Sequence, residues 1–353
     1  MKKTKSLQNK KILLLMPNFF YLTEILIKEL EEKGASIYYI ENKNHNFDYA
    51  APTSKFRLFR KIYHTIKNTK WNYLKKYINF EESYDFFICI NGFSFDKRII
   101  EKLKIKNPQI KNILYLWDST HMYNWIGIEK LFDSAFTFDP LDAQYLKIKY
   151  LPNFYPKEIN KHTEKITNDL FFVGTQHDDR FTIISKITTS KSLQSVYYIK
   201  LLVKYKNKLN NKLIYNLLSN INNTFCNNYC LNYKLIKHIY KADFLIYEAL
   251  SPNIILHEMQ SSKCILDIQS PSQVGLPHQM ILALAMNKKI ITTNKWIVNY
   301  DFYNSKQITI IDRNNPIIDN SFLVDNFKKE EIHKSIENCR IDNWLNELFS
   351  DFI

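Results

Sequence analysis

The amino-acid sequence predicts an α/β protein of two Rossmann-like domains whose parallel sheets face each other across a cleft. The chain has 353 residues, which is long for a single hydrophobic core and favours two domains. A hydrophobic content of 45% supplies enough apolar side chains for both cores. Short apolar runs alternate with helical patterns along both halves of the chain, as expected for parallel strands that helices cover on both faces.

Residues 1–150 are predicted to form an N-terminal Rossmann-like domain. The segment after its first strand has apolar side chains at helical spacing: Leu22, Ile25, Leu26 and Leu30. Gly34 follows that helix and can adopt the positive φ that commonly ends one. The strand candidates lie at 12–16, 36–40, 86–90, 113–117 and 135–138. Such apolar strands, separated by helices, indicate one parallel sheet.

The second half of the chain repeats this alternation. Residues 151–168 have two prolines and little periodicity, so they are interpreted as a linker. A second Rossmann-like domain is predicted at 169–335, and a terminal amphipathic helix at 336–353 that packs on one of the two domains. The strand candidates are 170–173, 196–199, 264–268, 290–293 and 307–311. In open parallel sheets ligands bind beyond the carboxyl ends of the strands, so the residues that follow these strands are the candidate site residues.

The first candidate stretch is "LYLWDSTH", at the end of the strand predicted for 113–117. The strand places Asp118 and His121 at the carboxyl edge of the N-terminal sheet. A carboxylate or an imidazole at that edge can accept a proton from a substrate hydroxyl, so both residues are candidate catalytic bases. The alternative is that Asp118 or Ser119 only caps the next helix.

The second stretch is "LFFVGTQHDDRF", where the first strand of the second domain runs into a polar loop. Gly174 lets the backbone approach a ligand closely. Arg180 can pair with a phosphate through two hydrogen bonds, and His177 can donate to the same anion. Asp178 and Asp179 suit the start of any helix and are interpreted as structural.

The third stretch is "QSPSQVGLPHQM", which joins a strand to a helix predicted for 276–286. Gly275 lies just before that helix, where free backbone N–H groups and the positive end of the helix dipole favour an anion. Gln269 and Gln273 can hydrogen-bond a ribose, a sugar or a phosphate. The alternative is that Gly275 only permits a tight turn.

Taken together, these stretches resemble a bacterial glycosyltransferase-like family of capsule and lipopolysaccharide biosynthesis with the GT-B fold. The resemblance is carried by "ILDIQSPSQVGL…LALAMNKKIITTN", "FFVGTQHDDR", "LYLWDS" and "IIDRNNPIIDNSF…NWLNELF". It implies a GT-B-like fold in which the C-terminal domain holds a nucleotide-sugar donor and the N-terminal domain holds the acceptor. The acceptor implied is a surface polysaccharide or a lipid-linked oligosaccharide, and the base implied is Asp118. The donor-binding residues implied are Gly174, Thr175, His177, Arg180, Gln269, Gln273, Gly275, Thr293 and Asn294.

One helix position departs from the family pattern. Related proteins have a ribose-binding glutamate where this chain has Leu282, and a basic residue where it has Gln279. Leucine cannot accept a hydrogen bond from a hydroxyl. The donor therefore differs, another residue binds the ribose, or the protein is a catalytically inactive glycosyltransferase-like scaffold.

Neither a metal ion nor a cofactor is expected, the nucleotide-sugar being a substrate. The chain has no Asp-x-Asp pair, which metal-dependent sugar transferases of the other common fold use to hold a divalent ion. Cys226 and Cys230 have no second Cys/His pair at a matching spacing, which argues against a zinc site. An odd number of scattered cysteines is typical of reduced thiols in a cytoplasm.

The positive charge is regional. The formal net charge is +14, and segments 49–80 and 181–242 have eight and ten basic residues with no acidic one. The first segment interleaves cations with apolar side chains, which is typical of a helix at an anionic membrane surface; its proposed membrane-facing cations are Arg57, Arg60, Lys61 and Lys67. The alternatives are a solvated helix and, less favoured, a nucleic-acid surface. No nucleic-acid module is recognisable, so no nucleic-acid partner is expected.

The expected location is the cytoplasm, with contact to the inner face of the membrane as a further expectation. No apolar run reaches the roughly 18 residues of a membrane-spanning helix. The apolar run at 12–16 is shorter than a signal-peptide core and ends at Pro17, so it is interpreted as a buried strand.

Overall fold

The structure is a computed structural model that describes residues 7–19, 21–42, 69–123, 125–159, 165–190, 196–203, 242–325 and 332–353. Several predicted features lie outside the described residues. They are the four membrane-facing cations Arg57, Arg60, Lys61 and Lys67, and the cysteines Cys226 and Cys230.

The N-terminal domain contains a six-stranded parallel sheet in the described residues, with strand order β2-β1-β3-β4-β5-β6. Its strands are β1 (Lys11–Met16), β2 (Ser36–Glu41), β3 (Phe86–Ile90), β4 (Lys111–Leu116), β5 (Ser134–Thr137) and β6 (Lys149–Tyr150). Its helices are α1 (Leu22–Glu32), α2 (Thr69–Tyr77), α3 (Arg98–Lys106) and α4 (Pro140–Leu146), with a 3₁₀ turn at Glu129–Leu131.

The central strands of this sheet are buried because both faces carry apolar side chains. In β1, Leu14 and Met16 join the core cluster on one face, whereas Leu13 and Leu15 join the cluster on the other. Helix α1 covers the first face with Leu22, Leu26 and Leu30. Gly34 follows with a φ of 92°, as predicted for a residue that ends a helix.

The C-terminal domain contains a second six-stranded parallel sheet in the described residues, with strand order β12-β11-β10-β7-β8-β9. The strands are β7 (Asn168–Thr175), β8 (Tyr197–Leu202), β9 (Leu245–Ile246), β10 (Ser262–Asp267), β11 (Lys289–Thr292) and β12 (Ile308–Ile310). The helices are α5 (Arg180–Thr189), α6 (Pro252–Gln260), α7 (His278–Ala285), α8 (Asn320–Val324), α9 (Lys334–Glu337) and α10 (Ile341–Leu348), with a 3₁₀ turn at Lys295–Asn299. The prediction of two Rossmann-like α/β domains with parallel sheets is confirmed.

The order of the second sheet defines where a ligand is expected to bind. From β7 the chain first builds outward through β8 and β9, and then returns to add β10, β11 and β12 on the other side of β7. The point between β7 and β10 is therefore a topological switch point, where the connections leave in opposite directions and open a crevice. Strands β6 and β9 were not predicted, because a two-residue strand is too short to show a hydrophobic period.

The C-terminal helix α10 packs on the N-terminal domain. Trp344 is fully buried, and its ring lies 4.9 Å from Tyr115 and 4.8 Å from Phe154. Its indole Nε1 donates to the carbonyl of Pro152 at 3.0 Å. The end of the chain thus returns to the first sheet and ties the second domain to it. None of the helices in the described ranges has both the length and the apolar character that a bilayer crossing requires.

We expect Trp344→Ala to destabilise the protein by about 3–5 kcal/mol, since it empties a large fully buried site and removes one hydrogen bond. The measurement is the free energy of unfolding in urea. Glu347→Ala is the matched control because Glu347 is exposed on the same helix. Equal loss in the two variants would contradict the role given to Trp344.

Candidate functional site

Arg180 spans the switch point of the C-terminal sheet. Its Nε donates to the carbonyl of Ile268, beyond β10, at 2.7 Å, and its Nη1 donates to the carbonyl of Thr175, at the end of β7, at 2.9 Å. A Cβ on Gly174 would lie 2.9 Å from the Phe172 ring and 3.2 Å from Arg180 Nη1. The predicted glycine therefore makes room for the Phe172 ring and for the arginine at this strand end.

Arg180 has the carboxylates of Asp178, Asp179 and Asp267 and the guanidinium of Arg313 in its surroundings. Burial lowers the pKa of Arg180 to about 10, so the guanidinium stays protonated at neutral pH. Nδ1 of His177 lies 2.8 Å from Oδ2 of Asp178, within hydrogen-bond distance. Burial lowers the pKa of His177, and the charge of Arg180 lowers it further. This imidazole is therefore mostly neutral at pH 7, and it would bind a ligand through hydrogen bonds and not through a charge.

A second arginine, which the sequence reasoning missed, joins the loops at this edge. Arg313 follows β12 and donates from Nε to Asp179 Oδ2 at 2.8 Å. Its Nη1 donates to the hydroxyl of Thr293 at 3.3 Å, and its Nη2 to the carbonyl of Gln269. The only sequence signal for Arg313 was its position just after a strand, in the stretch "IIDRNNP".

The side chains of Asn294 and Gln273 both donate to backbone carbonyls of the loop that follows β10. Asn294 is fully buried; its Nδ2 donates to the carbonyl of Val274 at 3.0 Å, and its Oδ1 accepts from the amide of Trp296 at 2.9 Å. Gln273 donates to the carbonyl of Gly275 at 3.3 Å. The side chain of Asn294 is thus occupied by the chain itself, whereas Thr293 lies beside Arg313 at the edge.

The amide of Gly275 has a different partner from the anion predicted for it. It donates to Asp139 Oδ2 at 3.0 Å, and the amide of Val274 donates to the same oxygen at 2.9 Å. A Cβ on Gly275 would lie 2.8 Å from both the ring and the carbonyl oxygen of Phe138. Gly275 has no positive φ, so a tight turn is not the reason for it either. Glycine is needed here because the N-terminal domain approaches the backbone too closely for a side chain.

The contact through Asp139 brings the carboxyl edges of the two sheets together. Asp139 follows β5 and is 2% exposed; its Oδ1 also accepts from the amides of Leu141 and Asp142 at the start of α4. Nearby, Asn153 Nδ2 donates to the carbonyl of Leu276 at 3.0 Å. Residues at the end of the first sheet therefore lie against the loop that follows β10 of the second.

Asp118 lies at the carboxyl edge of the first sheet, as predicted. Its Oδ2 accepts from Asn91 Nδ2 at 2.6 Å, and Asn91 Oδ1 accepts from the amide of Trp117 at 3.0 Å. Burial raises the pKa of Asp118 to about 6, and the hydrogen bond from Asn91 opposes this rise. The described residues after Asp118 form a turn and not a helix, and in that turn the hydroxyl of Ser119 accepts from the amide of His121 at 3.2 Å. A partly exposed carboxylate with this pKa suits proton transfer near neutral pH.

His121 is exposed on the loop beyond Asp118, and among the described residues no hydrogen bond or ion pair joins its ring to Asp118. A different histidine, His278, lies closer to the junction between the domains. Its Nδ1 is 3.0 Å from the carbonyl of Phe154, and its ring meets Trp117 edge-on at 5.4 Å. Burial lowers the pKa of His278 to about 4, so the ring is neutral.

Leu282 is 4% exposed and packs in the core of the C-terminal domain. A side chain at this place is turned away from solvent, so hydroxyl recognition has to come from another residue. Within the described ranges, no group of three or more His, Cys, Asp or Glu side chains is placed to hold a metal ion.

No protein-family model matches the chain, and no curated protein matches it. Among solved structures, the chain is similar to the apo form of the lipopolysaccharide outer core galactosyltransferase WaaB, with 12% identity and a TM-score of 0.46, over 97% of this chain and 100% of that one. It is also similar to MurG of Acinetobacter baumannii, with 6% identity and a TM-score of 0.37, over 95% of this chain and 94% of that one. Similarity at this level assigns no activity, so function has to be argued from the residues themselves.

We expect Gly275→Ala to lower the free energy of unfolding by about 1–3 kcal/mol, because the new methyl group meets Phe138 at the domain junction. Urea unfolding measures the change. Ser272→Ala is the control, since Ser272 is exposed in the same loop. A Gly275→Ala protein as stable as the control would show that the two domains do not approach as closely as described.

Proposed function

We propose that this chain is a glycosyltransferase of GT-B-like architecture that moves a sugar from a nucleotide-sugar to a surface-polysaccharide or lipid-linked oligosaccharide acceptor. The donor occupies the switch point of the C-terminal sheet, and the acceptor occupies the carboxyl edge of the N-terminal sheet. The proposed donor-side residues are Gly174, Thr175, His177, Arg180, Gln269, Gln273 and Thr293, to which Arg313 is added.

The observation that carries the proposal is the meeting of two chemically different sheet edges at one loop. One edge presents a carboxylate, Asp118, whose pKa is raised to about 6. The other presents a guanidinium, Arg180, at the switch point of its sheet. A base on one side and a cation on the other are what the transfer of a group from a phosphate to a hydroxyl requires.

The proposed transfer needs one proton acceptor and one site for the leaving group. Asp118 takes the proton of the acceptor hydroxyl, whose oxygen forms the new bond to the anomeric carbon. The bond from that carbon to the donor phosphate breaks, and the phosphate leaves with the electron pair. Arg180 stabilises the negative charge that develops on it. The amide of Gly275 is bonded to Asp139, and the side chain of Asn294 is bonded to Val274 and Trp296. We therefore assign no part in this step to Gly275 or Asn294.

The proposed partners are a nucleotide-sugar and a glycan or lipid-linked acceptor, in the cytoplasm and at the inner face of the membrane. The membrane contact rests on the basic segment around Arg57 and Arg60, which lies outside the described residues. An inactive scaffold remains the second candidate because Leu282 replaces the family's acidic residue. A scaffold of this kind would bind assembly partners and release no nucleotide from any donor.

Thermal-shift screening against UDP-, GDP-, ADP- and CMP-sugars identifies the donor. With an active donor, Arg180→Ala is expected to lower turnover at least tenfold, because the leaving phosphate loses its cation. Lys186→Ala is the matched control: it removes a cation from the same helix, where Lys186 is exposed. Equal turnover in Arg180→Ala and wild type would remove the role given to Arg180, and no nucleotide release from any donor would favour the scaffold.

We expect the transfer rate to rise with pH through about 6, because Asp118 acts only when ionised. Loss of the hydrogen bond from Asn91 raises the pKa of Asp118 further, so in Asn91→Gly the rise should shift to higher pH. Glycine is chosen because Asn91 has a φ of 55°. Initial rates measured from pH 4.5 to 8 test this, with Asn107→Ala, at the other edge of the sheet, as control. If the rise of the rate occurs at the same pH in Asn91→Gly as in wild type, Asp118 is excluded as the titrating base.

A further inference from the structure

We propose that Gln269 and Asp179 form a subsite for hydroxyl groups of the ligand, next to Arg180, and that Arg313 positions both. This inference rests on the proposed function and deepens it, since it names the part of the donor that these residues recognise. From the sequence, Asp179 was predicted to be structural and Arg313 had no predicted role.

Two buried oxygen atoms at this edge have no hydrogen-bond partner among the described residues. One is Oε1 of Gln269, a side chain that is 7% exposed, and the other is Oδ1 of Asp179. A buried acceptor left without a donor costs about 1–3 kcal/mol. Two such atoms on adjoining loops therefore indicate a place where a ligand supplies the missing donors.

One guanidinium connects the two residues. Arg313 Nε donates to Asp179 Oδ2 at 2.8 Å, and Arg313 Nη2 donates to the backbone carbonyl of Gln269. These bonds go to Oδ2 of Asp179 and to the backbone carbonyl of Gln269. They leave Asp179 Oδ1 and Gln269 Oε1 unpaired. Both residues are thereby held near each other with one acceptor each to spare.

The subsite adjoins the anion site directly. Asp179 precedes Arg180 in the chain, and Gln269 follows Ile268, whose carbonyl accepts from Arg180 at 2.7 Å. A ligand whose phosphate binds Arg180 thus has its neighbouring groups within reach of Asp179 and Gln269. The side chain of Asp179 is 40% exposed, so this loop lies at the surface, although Oδ1 itself is buried.

The chemistry of the unpaired atoms selects hydroxyl groups. A carboxylate oxygen and an amide oxygen only accept hydrogen bonds, so the ligand must supply donors. A phosphate is repelled by the carboxylate, whereas a neutral hydroxyl forms a charge-assisted hydrogen bond with it. The hydroxyl groups of a nucleotide-sugar come either from the ribose or from the transferred sugar. With Leu282 buried in the core, Asp179 supplies the acidic acceptor at this edge.

Arg313 is a positioning residue in this arrangement. Its three described hydrogen bonds go to Asp179, Thr293 and Gln269, and so to the chain itself. It neutralises Asp179 and fixes the loops that follow β7, β10 and β11. Loss of Arg313 would loosen all three loops, so the sharper tests are made on Gln269 and Asp179.

The test measures binding by calorimetry with the nucleoside diphosphate that binds best, its 2′,3′-dideoxy analogue and its sugar-bearing form. Wild type is expected to bind one hydroxyl-bearing ligand at least tenfold more tightly than the ligand lacking those hydroxyls. Gln269→Met keeps the backbone carbonyl that Arg313 binds, and Asp179→Asn keeps the side-chain shape. Both should reduce that ratio to about threefold or less, because the hydroxyl-bearing ligand loses more affinity than the ligand without those hydroxyls. Asp243→Asn is the control for the charge change, since Asp243 is exposed before β9, at the other edge of the sheet.

The outcomes separate the subsite from the proposed function. A preference for the ribose-bearing over the dideoxy ligand assigns the hydroxyls to the ribose, and a preference for the sugar-bearing form assigns them to the sugar; either supports the subsite if both variants lose it. Equal affinity of wild type for all three ligands, or ratios unchanged in both variants, overturns the subsite and leaves the function standing. If no nucleotide binds wild type, the function and the subsite fall together.

Discussion

The carboxylate of Asp139 is the interaction on which the arrangement of the two domains depends. One oxygen accepts from the amides of Leu141 and Asp142 in its own domain, and the other accepts from Val274 and Gly275 in the second. A buried charge is tolerated only when it is hydrogen-bonded, and four amides satisfy this one. Because the carboxylate ends one sheet and the amides follow a strand of the other, the same contact sets the two carboxyl edges against each other.

The two edges brought together in this way differ in character. At the carboxyl edge of the N-terminal sheet, Asn91 holds Asp118 in a partly buried place where its pKa rises to about 6. At the carboxyl edge of the C-terminal sheet, Arg180 and Arg313 connect the ends of neighbouring strands through backbone carbonyls and the carboxylate of Asp179. Each of these side chains is thus fixed by hydrogen bonds within the protein and has little freedom left to lose if a ligand binds. Such preorganisation is what the proposed transfer would need.

Much of the fold could be read from local patterns. The strand 86–90 was predicted with its observed ends, and most others within two residues, because strands buried on both faces are continuous apolar runs. The same reasoning placed Asp118 and Arg180 at strand ends. It missed Asp139, Asn91 and Arg313, since an Asp before Pro, an Asn after a strand and an Arg in a loop are common features whose partners lie far away in the chain. Gly275 shows the limit best: its position was noticed, yet its reason is Phe138, more than a hundred residues earlier.

By itself, the sequence determined the two parallel sheets, the helices between them and the strand ends at which polar residues gather. These follow from the periodicity of apolar side chains and from glycine at turns, which act over a few residues. Only the tertiary structure decided which strand ends meet, which amides are already bound by Asp139, and which acceptors beside Arg180 are left without a donor. Those depend on distances between residues remote in the chain, and hydrogen bonds and close packing are sensitive to changes far smaller than a side chain.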